Sequence, residues 1–152
     1  MNIKKLRTDE LISLCDLFEY NDVVDMLISN EKKIENGDID IFGVFEGSLL
    51  IGELRVMYNH GNSNYTIKNK RVYLYALRVH EIFQGHGLGK FLLENVIDTL
   101  KEKGYTEFTI GVEDDNEIAK KLYFEMGFNE LVMHAEEEYQ GDRYEYDLYL
   151  KK

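Results

Sequence analysis

Three glycines, Gly85, Gly87 and Gly89, alternate with other residues in "QGHGLGK", which begins at Gln84. An apolar run at helical spacing follows at once: Leu88, Phe91, Leu92, Val96, Ile97 and Leu100. Glycine-rich loops at helix starts bind anions, because backbone N–H groups point outward and the helix dipole places roughly half a positive charge there. Lys90 adds a cation beside them. Spacing separates the loops that share this physics. A dinucleotide fingerprint, G-x-G-x-x-G, meets Lys90 when started at Gly85 and Leu92 when started at Gly87. A P-loop ending on Gly89-Lys90 needs a glycine where Gln84 stands and a hydroxyl where Phe91 stands. Both fail. A glycine-rich turn with no ligand is the structural alternative.

Other chemistries find less support. His60, His80, His86, His134 and Cys15 have no zinc-ligand spacing, and no metal site is expected. "DIDIFG", from Asp38, fails as a calcium loop at Phe42 and Leu49. The net charge of -11 disfavours nucleic acid and anionic lipid as partners. With one cysteine, no signal-type N-terminus and no apolar run of membrane-span length, the chain reads as soluble and cytoplasmic.

The elements that must position the glycine loop follow from periodicity and turn residues. "NIKKL" (2–6) reads as a strand. Leu11, Ile12, Leu14, Cys15 and Phe18 suggest a helix capped by Thr8 or Asp9. Val23, Met26, Leu27 and Ile34 suggest a second, ending near Asn36-Gly37. Residues 39–59 read as a hairpin turning at Glu46-Gly47-Ser48, and "RVYLYALRV" (71–79) as a central strand. The glycine-loop helix stops at Gly104, and "YTEFTIGV" (105–112) is a strand. A helix over 114–128 carries Ile118, Ala119, Leu122, Tyr123 and Met126 on one face. Strands over 128–134 and 143–150 finish the chain. The order β-α-α-β-β-β-α-β-α-β-β predicts a mixed α/β sheet rather than a regular doubly wound one.

Q-x-x-G-x-G, at Gln84, Gly87 and Gly89 directly after "LYALRV", resembles the acetyl-CoA-binding motif of the GNAT superfamily of N-acetyltransferases. One strand downstream, "NEIAKKLYFEMGF" (116–128) is similar to the family's N-x-x-A-x-x-L-Y-x-x-x-G-F segment at every fixed position. The resemblance is strong over roughly residues 70–130. It implies one N-acetyltransferase domain over 1–152: a central, mostly antiparallel sheet of about seven strands with a splayed parallel pair, flanked by about four helices. It implies an acyltransferase that moves the acetyl group of acetyl-CoA, its co-substrate, to a primary amine by direct transfer in a ternary complex. A non-catalytic CoA or acetyl-CoA sensor of the same fold is the alternative.

Residue by residue, the resemblance implies that the backbone of Leu77, Arg78 and Val79 hydrogen-bonds the pantetheine arm. The amide near Val79 also polarises the thioester carbonyl. Gln84, Gly85, His86, Gly87, Leu88, Gly89 and Lys90 cradle the pyrophosphate, and Ala119 is small to let the cofactor lie close. Asn116 caps its helix or bonds the pantetheine amides. Tyr123, two helical turns later, donates a proton to the departing thiolate, as a phenol of pKa about 10 can at neutral pH. A core tyrosine is the plain alternative. An alkylamine of pKa about 10.4 must lose its proton before attack. Arg71 stands where some members carry a glutamate, so Glu53 is the first candidate base and Glu113 the second, each otherwise a surface carboxylate.

The acid is uneven. Seven carboxylates and no Lys or Arg lie between Thr8 and Glu31, and six face Arg143 alone between Glu136 and Asp147. A solvated surface explains such runs by default. In the family these regions, the first two helices and the loop between the last two strands, border the acceptor groove. The expected acceptor is therefore an amine-bearing, cationic small molecule or peptide. A negative groove also raises the amine's pKa, so the acidity serves recognition rather than rate. A homodimer is expected by the same resemblance.

Overall fold

Seven strands form one sheet: β1 (Asn2–Lys5), β2 (Ile39–Glu46), β3 (Leu49–Met57), β4 (Arg71–Val79), β5 (Glu107–Val112), β6 (Glu130–Tyr139) and β7 (Asp142–Lys151). Their order is β1-β2-β3-β4-β5-β7-β6. Only β4 and β5 run parallel; all other neighbours are antiparallel. The helices are α1 (Val23–Glu35), α2 (Leu88–Glu102) and α3 (Glu117–Glu125), with a 3-10 segment Thr8–Asp16 and a 3-10 turn Glu81–Phe83. The structure is a computed structural model and describes residues 2–17, 19, 21–139 and 141–152. No helix among the described residues is long and apolar enough to cross a membrane.

Strand alternation gives the sheet two apolar faces. α2 and α3 cover one: Leu88, Leu92, Leu93, Val96 and Leu100 pack on Leu54, Val72, Leu74, Phe108 and Ile110, with Tyr123 and Phe128. The 3-10 segment and α1 cover part of the other, through Leu11, Leu14 and Met26 on Ile39, Ile41 and Leu50. Beyond them on that face lies a small cluster of Tyr65, Ala135, Tyr146 and Leu148, with Tyr73 against it.

Several local expectations need correction. The first helix is 3-10: Leu11 and Leu14, three apart, are buried, and Ile12 and Cys15 are exposed. That is the period of three residues per turn. Its start is fixed by Glu10, whose carboxylate accepts the Arg7 N–H at 3.0 Å, not by Thr8 or Asp9. Phe18 lies outside the described residues. Phe91 is exposed, and Leu93 takes the buried place on α2. Ile118 points to solvent, because the inner line of α3 runs through Ala119 and Tyr123. The strand expected over 128–134 runs further, as β6, in register with β7 down to Tyr139↔Asp142.

β4 and β5 pair only from Arg71↔Glu107 to Leu74↔Ile110. Arg71 clamps the closed end: its Nε donates to Glu107 Oε1 at 2.9 Å, and its guanidinium also reaches the carbonyls of Ser63 and Asn64. On the other side, Glu53 pairs with Arg78 and Arg55 with Tyr75, so Leu54 faces the two residues Ala76 and Leu77. This bulge is carried by Ala76 at φ 54, a left-handed conformation that costs a non-glycine residue about 1–2 kcal/mol. It turns β4 away from β5.

A Cβ on Gly111, in β5, would stand 2.7 Å from the Tyr146 ring. Gly111→Ala is therefore expected to destabilise the fold by about 1–3 kcal/mol, read as a lower denaturation midpoint. Burial pushes the Glu107 carboxyl up, but the hydrogen bond and charge of Arg71, with Lys70 and Lys152, more than offset it, so its pKa lies below the usual range. A depressed folded pKa stabilises above the unfolded value, and the contribution is lost as pH falls through the folded one. Arg71→Met should flatten the acid side of the stability–pH curve, measured by thermal midpoints.

Candidate active site

The parting of β4 and β5 opens a cleft of about 290 Å³, lined by Tyr75, Leu77, Gly111, Asn116, Ala119 and Tyr123 among others. Past Leu74, β5 offers β4 no backbone partner. Buried or half-buried backbone seeks partners, so this edge of Ala76–Val79 can receive the amides of an extended ligand as a further strand. Val79 is also tied back to the glycine loop, because the Gln84 side-chain amide donates to its carbonyl at 3.0 Å.

The glycine loop leads into α2 at Leu88. Gly85 and Gly87 sit at φ 82 and 77, and a Cβ on either would meet no protein atom within 4 Å. Backbone conformation requires glycine there, and the space beyond is open to a ligand. Gly89 differs: a Cβ would touch Leu77 and Val79 at 3.8 and 3.9 Å, ordinary contact distances. Leu88 buries its side chain, so only its backbone faces outward. His86 joins Phe83, Gly87 and Phe91 around a cleft of about 240 Å³ beside the loop. Lys90 extends along α2, with Nζ 3.9 Å from Glu94.

From the other wall, Asn116 caps α3 by accepting the Ala119 N–H at 3.2 Å. Tyr123, on the next turns, lies at the cleft with 8 % of its surface exposed. Burial pushes its phenol up to about 12, so it stays protonated at neutral pH. No group among the described residues hydrogen-bonds its hydroxyl.

Glu53 is not a surface carboxylate. It is fully buried, and Arg55 Nε donates to its Oε1 at 2.6 Å. Asn30 of α1 accepts from the same guanidinium at 3.5 Å. Oε2 of Glu53 has no partner among the described residues. Arg55 pairs in register with Tyr75, and both charges of the pair act on the Tyr75 phenol. Glu53 itself is absent from the cleft lining, and Tyr75 stands between the pair and the cleft. Glu113, the second candidate, is exposed at the cleft rim. Arg71 lies at the closed end of the strand pair, apart from the cleft lining.

The acidic stretches are sorted by strand alternation. On β6 and β7, His134 and Glu136 share a face with Asp147 and Glu145, and Ala135 and Glu137 share the other with Tyr146. Glu136 pairs with Arg143, and His134 Nδ1 lies 2.8 Å from Asp147. His134, Glu136 and Glu145 approach within 4.8 Å of one another, a trio that sequence spacing did not reveal, but it is exposed and its members are engaged with these neighbours. A larger cleft, of about 780 Å³, lies at the other end of the sheet around Asp40, Tyr58, Lys103 and Tyr105 and does not touch the parted strands.

The described residues thus combine a splayed parallel strand pair, a glycine loop at a helix start and a tyrosine on α3. The model of the acetyltransferase (GNAT) family matches residues 9–128, and the chain belongs to that family. It is similar to the mycothiol acetyltransferase of Jonesia denitrificans, 38% identical over 67 residues, 44% of this chain and 21% of that protein. It is also similar to the [ribosomal protein bS18]-alanine N-acetyltransferase of Salmonella typhimurium, 40% identical over 57 residues, 38% of each chain. The chain thus spans well under half the length of these relatives. Among solved structures, the ribosomal-protein-alanine N-acetyltransferase of Brucella melitensis superposes with a TM-score of 0.76, at 16% identity over 99% of both chains. The paia N-acetyltransferase of Thermoplasma acidophilum in complex with coenzyme A gives 0.68, at 20% identity over 99% of this chain and 98% of that one.

Removing one partner of a buried ion pair leaves an uncompensated charge, at a cost of about 3–5 kcal/mol. Arg55→Met should lower unfolding free energy by that amount, and adding Glu53→Leu should restore most of it, as denaturant titrations would show.

Proposed function

We propose that the protein is an acetyl-CoA-dependent N-acetyltransferase acting by direct transfer on a primary amine of a cationic small molecule or peptide. The observation that carries this reading is the unpaired edge of β4 beyond Leu74 in a cleft lined by Tyr123. Acetyl-CoA supplies a thioester acetyl group, whose carbon–sulfur bond breaks as the bond to the amine nitrogen forms. The residues fit that co-substrate. The backbone of Leu77, Arg78 and Val79 offers donors and acceptors along the open edge, and Gln84 holds Val79 in place for one of them. Gly85 and Gly87 turn the loop so that its N–H groups and those of Leu88 and Gly89 face an anion, the pyrophosphate, at the start of α2. Ala119 leaves room on the α3 wall.

Proton movements fall to side chains. Tyr123, protonated at neutral pH and with its hydroxyl unengaged, gives a proton to the departing sulfur. Glu53 takes the amine's proton on Oε2, directly or through a water, while Arg55 holds Oε1. Glu113 at the rim is the second candidate for that role. Cys15 lies on the 3-10 segment, outside the cleft lining, so no acetyl-cysteine is invoked. The relatives are named for different acceptors, so the acceptor is argued from this chain's own surface. Clustered carboxylates along α1, the 3-10 segment and the β6–β7 hairpin favour a cation.

A thiol-release assay with acetyl-CoA and a panel of amines tests the reading. Tyr123→Phe should lower kcat on the order of 10²-fold while leaving acetyl-CoA affinity intact, and Glu53→Gln should lower kcat with the thermal midpoint as its folding control. Binding of CoA without turnover of any amine, with no effect of Tyr123→Phe, would instead support a CoA sensor.

A further inference from the structure

On the sheet face opposite α2 and α3, Tyr75 and Tyr73 present stacked rings, 5.4 Å between centroids and 12° apart. Tyr75 packs with the cluster under α1, and Tyr73 with the cluster formed by Tyr65, Ala135, Tyr146 and Leu148, so the two rings lie between these clusters. One end of this shelf is the cleft, which Tyr75 lines; Tyr75 pairs in register with Arg55, which holds the buried Glu53 on the same side of the sheet. At the other end Tyr146 lies over Gly111 and donates to Glu137 Oε1 at 2.6 Å. The Tyr65 hydroxyl is 2.6 Å from that of Tyr146. Since Tyr146 spends its proton on Glu137, Tyr65 must be the donor in that contact. Glu137 is exposed, and its second oxygen is not used by this chain of hydroxyls.

We infer that this shelf binds the acceptor, and that the acceptor is a linear α,ω-diamine whose reacting amine sits at the Glu53 end and whose second ammonium sits on Glu137. The inference rests on the acetyltransferase reading above. Flat rings suit a methylene chain, their faces attract an ammonium, and Glu137 supplies the opposite charge. Burial pushes the Tyr73 and Tyr146 phenols up, so the shelf is neutral and its charge is concentrated at the two ends. The two stacked rings lie 5.4 Å apart between centroids, so a diamine that reaches past both needs a chain of several methylenes rather than two. Of the three consecutive glutamates of β6, only Glu137 faces the shelf.

The test is a thiol-release assay of the purified protein with acetyl-CoA and n-butylamine, 1,2-diaminoethane, 1,4-diaminobutane or 1,5-diaminopentane. The two longer diamines should exceed the monoamine and the short diamine in kcat/KM by about tenfold or more. Glu137→Gln should remove that advantage through KM and leave n-butylamine unaffected. Glu136→Gln, on the opposite face, should leave the advantage in place. Tyr146→Phe, which keeps the ring and drops the donor to Glu137, should move the same KM in the same direction. Equal turnover of mono- and diamines, or an advantage that survives Glu137→Gln, overturns the inference and leaves the acetyltransferase reading standing. So does turnover confined to the N-terminal amine of an alanine-led tripeptide included in the panel. If acetyl-CoA binds and no amine turns over, both fall.

Discussion

A sheet is held together by backbone hydrogen bonds, and this one abandons them at a defined point. Beyond Leu74↔Ile110 the two parallel strands part, although β4 continues to Val79 and β5 to Val112. The bulge at Ala76 makes the parting possible by inserting an extra residue opposite Leu54. The Arg71–Glu107 pair keeps the closed end together, so the strands diverge as a wedge rather than separating throughout. Each other part of the site takes its position from this wedge. α2 starts where β4 ends, α3 starts where β5 ends, and the glycine loop and Tyr123 come to its two walls as a result.

The wedge also passes through the sheet and connects two different environments. On the α2 and α3 face the walls are apolar and Tyr123 is nearly buried. On the opposite face the floor is tyrosine, with Glu53, Arg55 and Glu137 among its charged groups. Under the proposed function, cofactor and acceptor would approach from opposite faces and meet in the gap. The alternation of β6 decides which acids lie on the tyrosine side, since Glu137 and Glu136 are neighbours in sequence but separated by the thickness of the sheet.

Much of this was legible in the chain because it is local. Gly85, Gly87, Gly104 and Gly127 all hold left-handed conformations that glycine advertises. Asn116 sits three residues before the N–H that it caps. Element order followed from periodicity, and the splayed parallel pair from the resemblance that the two motifs carry. What stayed hidden depends on distant partners or on residues with no signature. Ala76 is an ordinary strand residue by type, so the bulge gave no sign. Tyr65 and Tyr146 meet across 81 positions, and nothing in either segment marks the other. Glu-Glu-Glu has low strand preference, and pairing with β7 overrides it. The Glu53-x-Arg55 spacing did carry a signal, since residues two apart on a strand share a face, and it identified the base candidate's partner had it been read that way.

Gly111 and Tyr146 have a consequence for altering this protein. The glycine is demanded by the ring above it, not by its own backbone, since its φ is not among the left-handed ones. The two positions therefore behave as one volume shared between β5 and the hairpin. A library that varies residue 111 alone samples mostly collisions, whereas one that varies both can shrink the ring and let a side chain grow from the sheet. That exchange would transfer part of the wall of the cleft from the hairpin to the centre of the sheet.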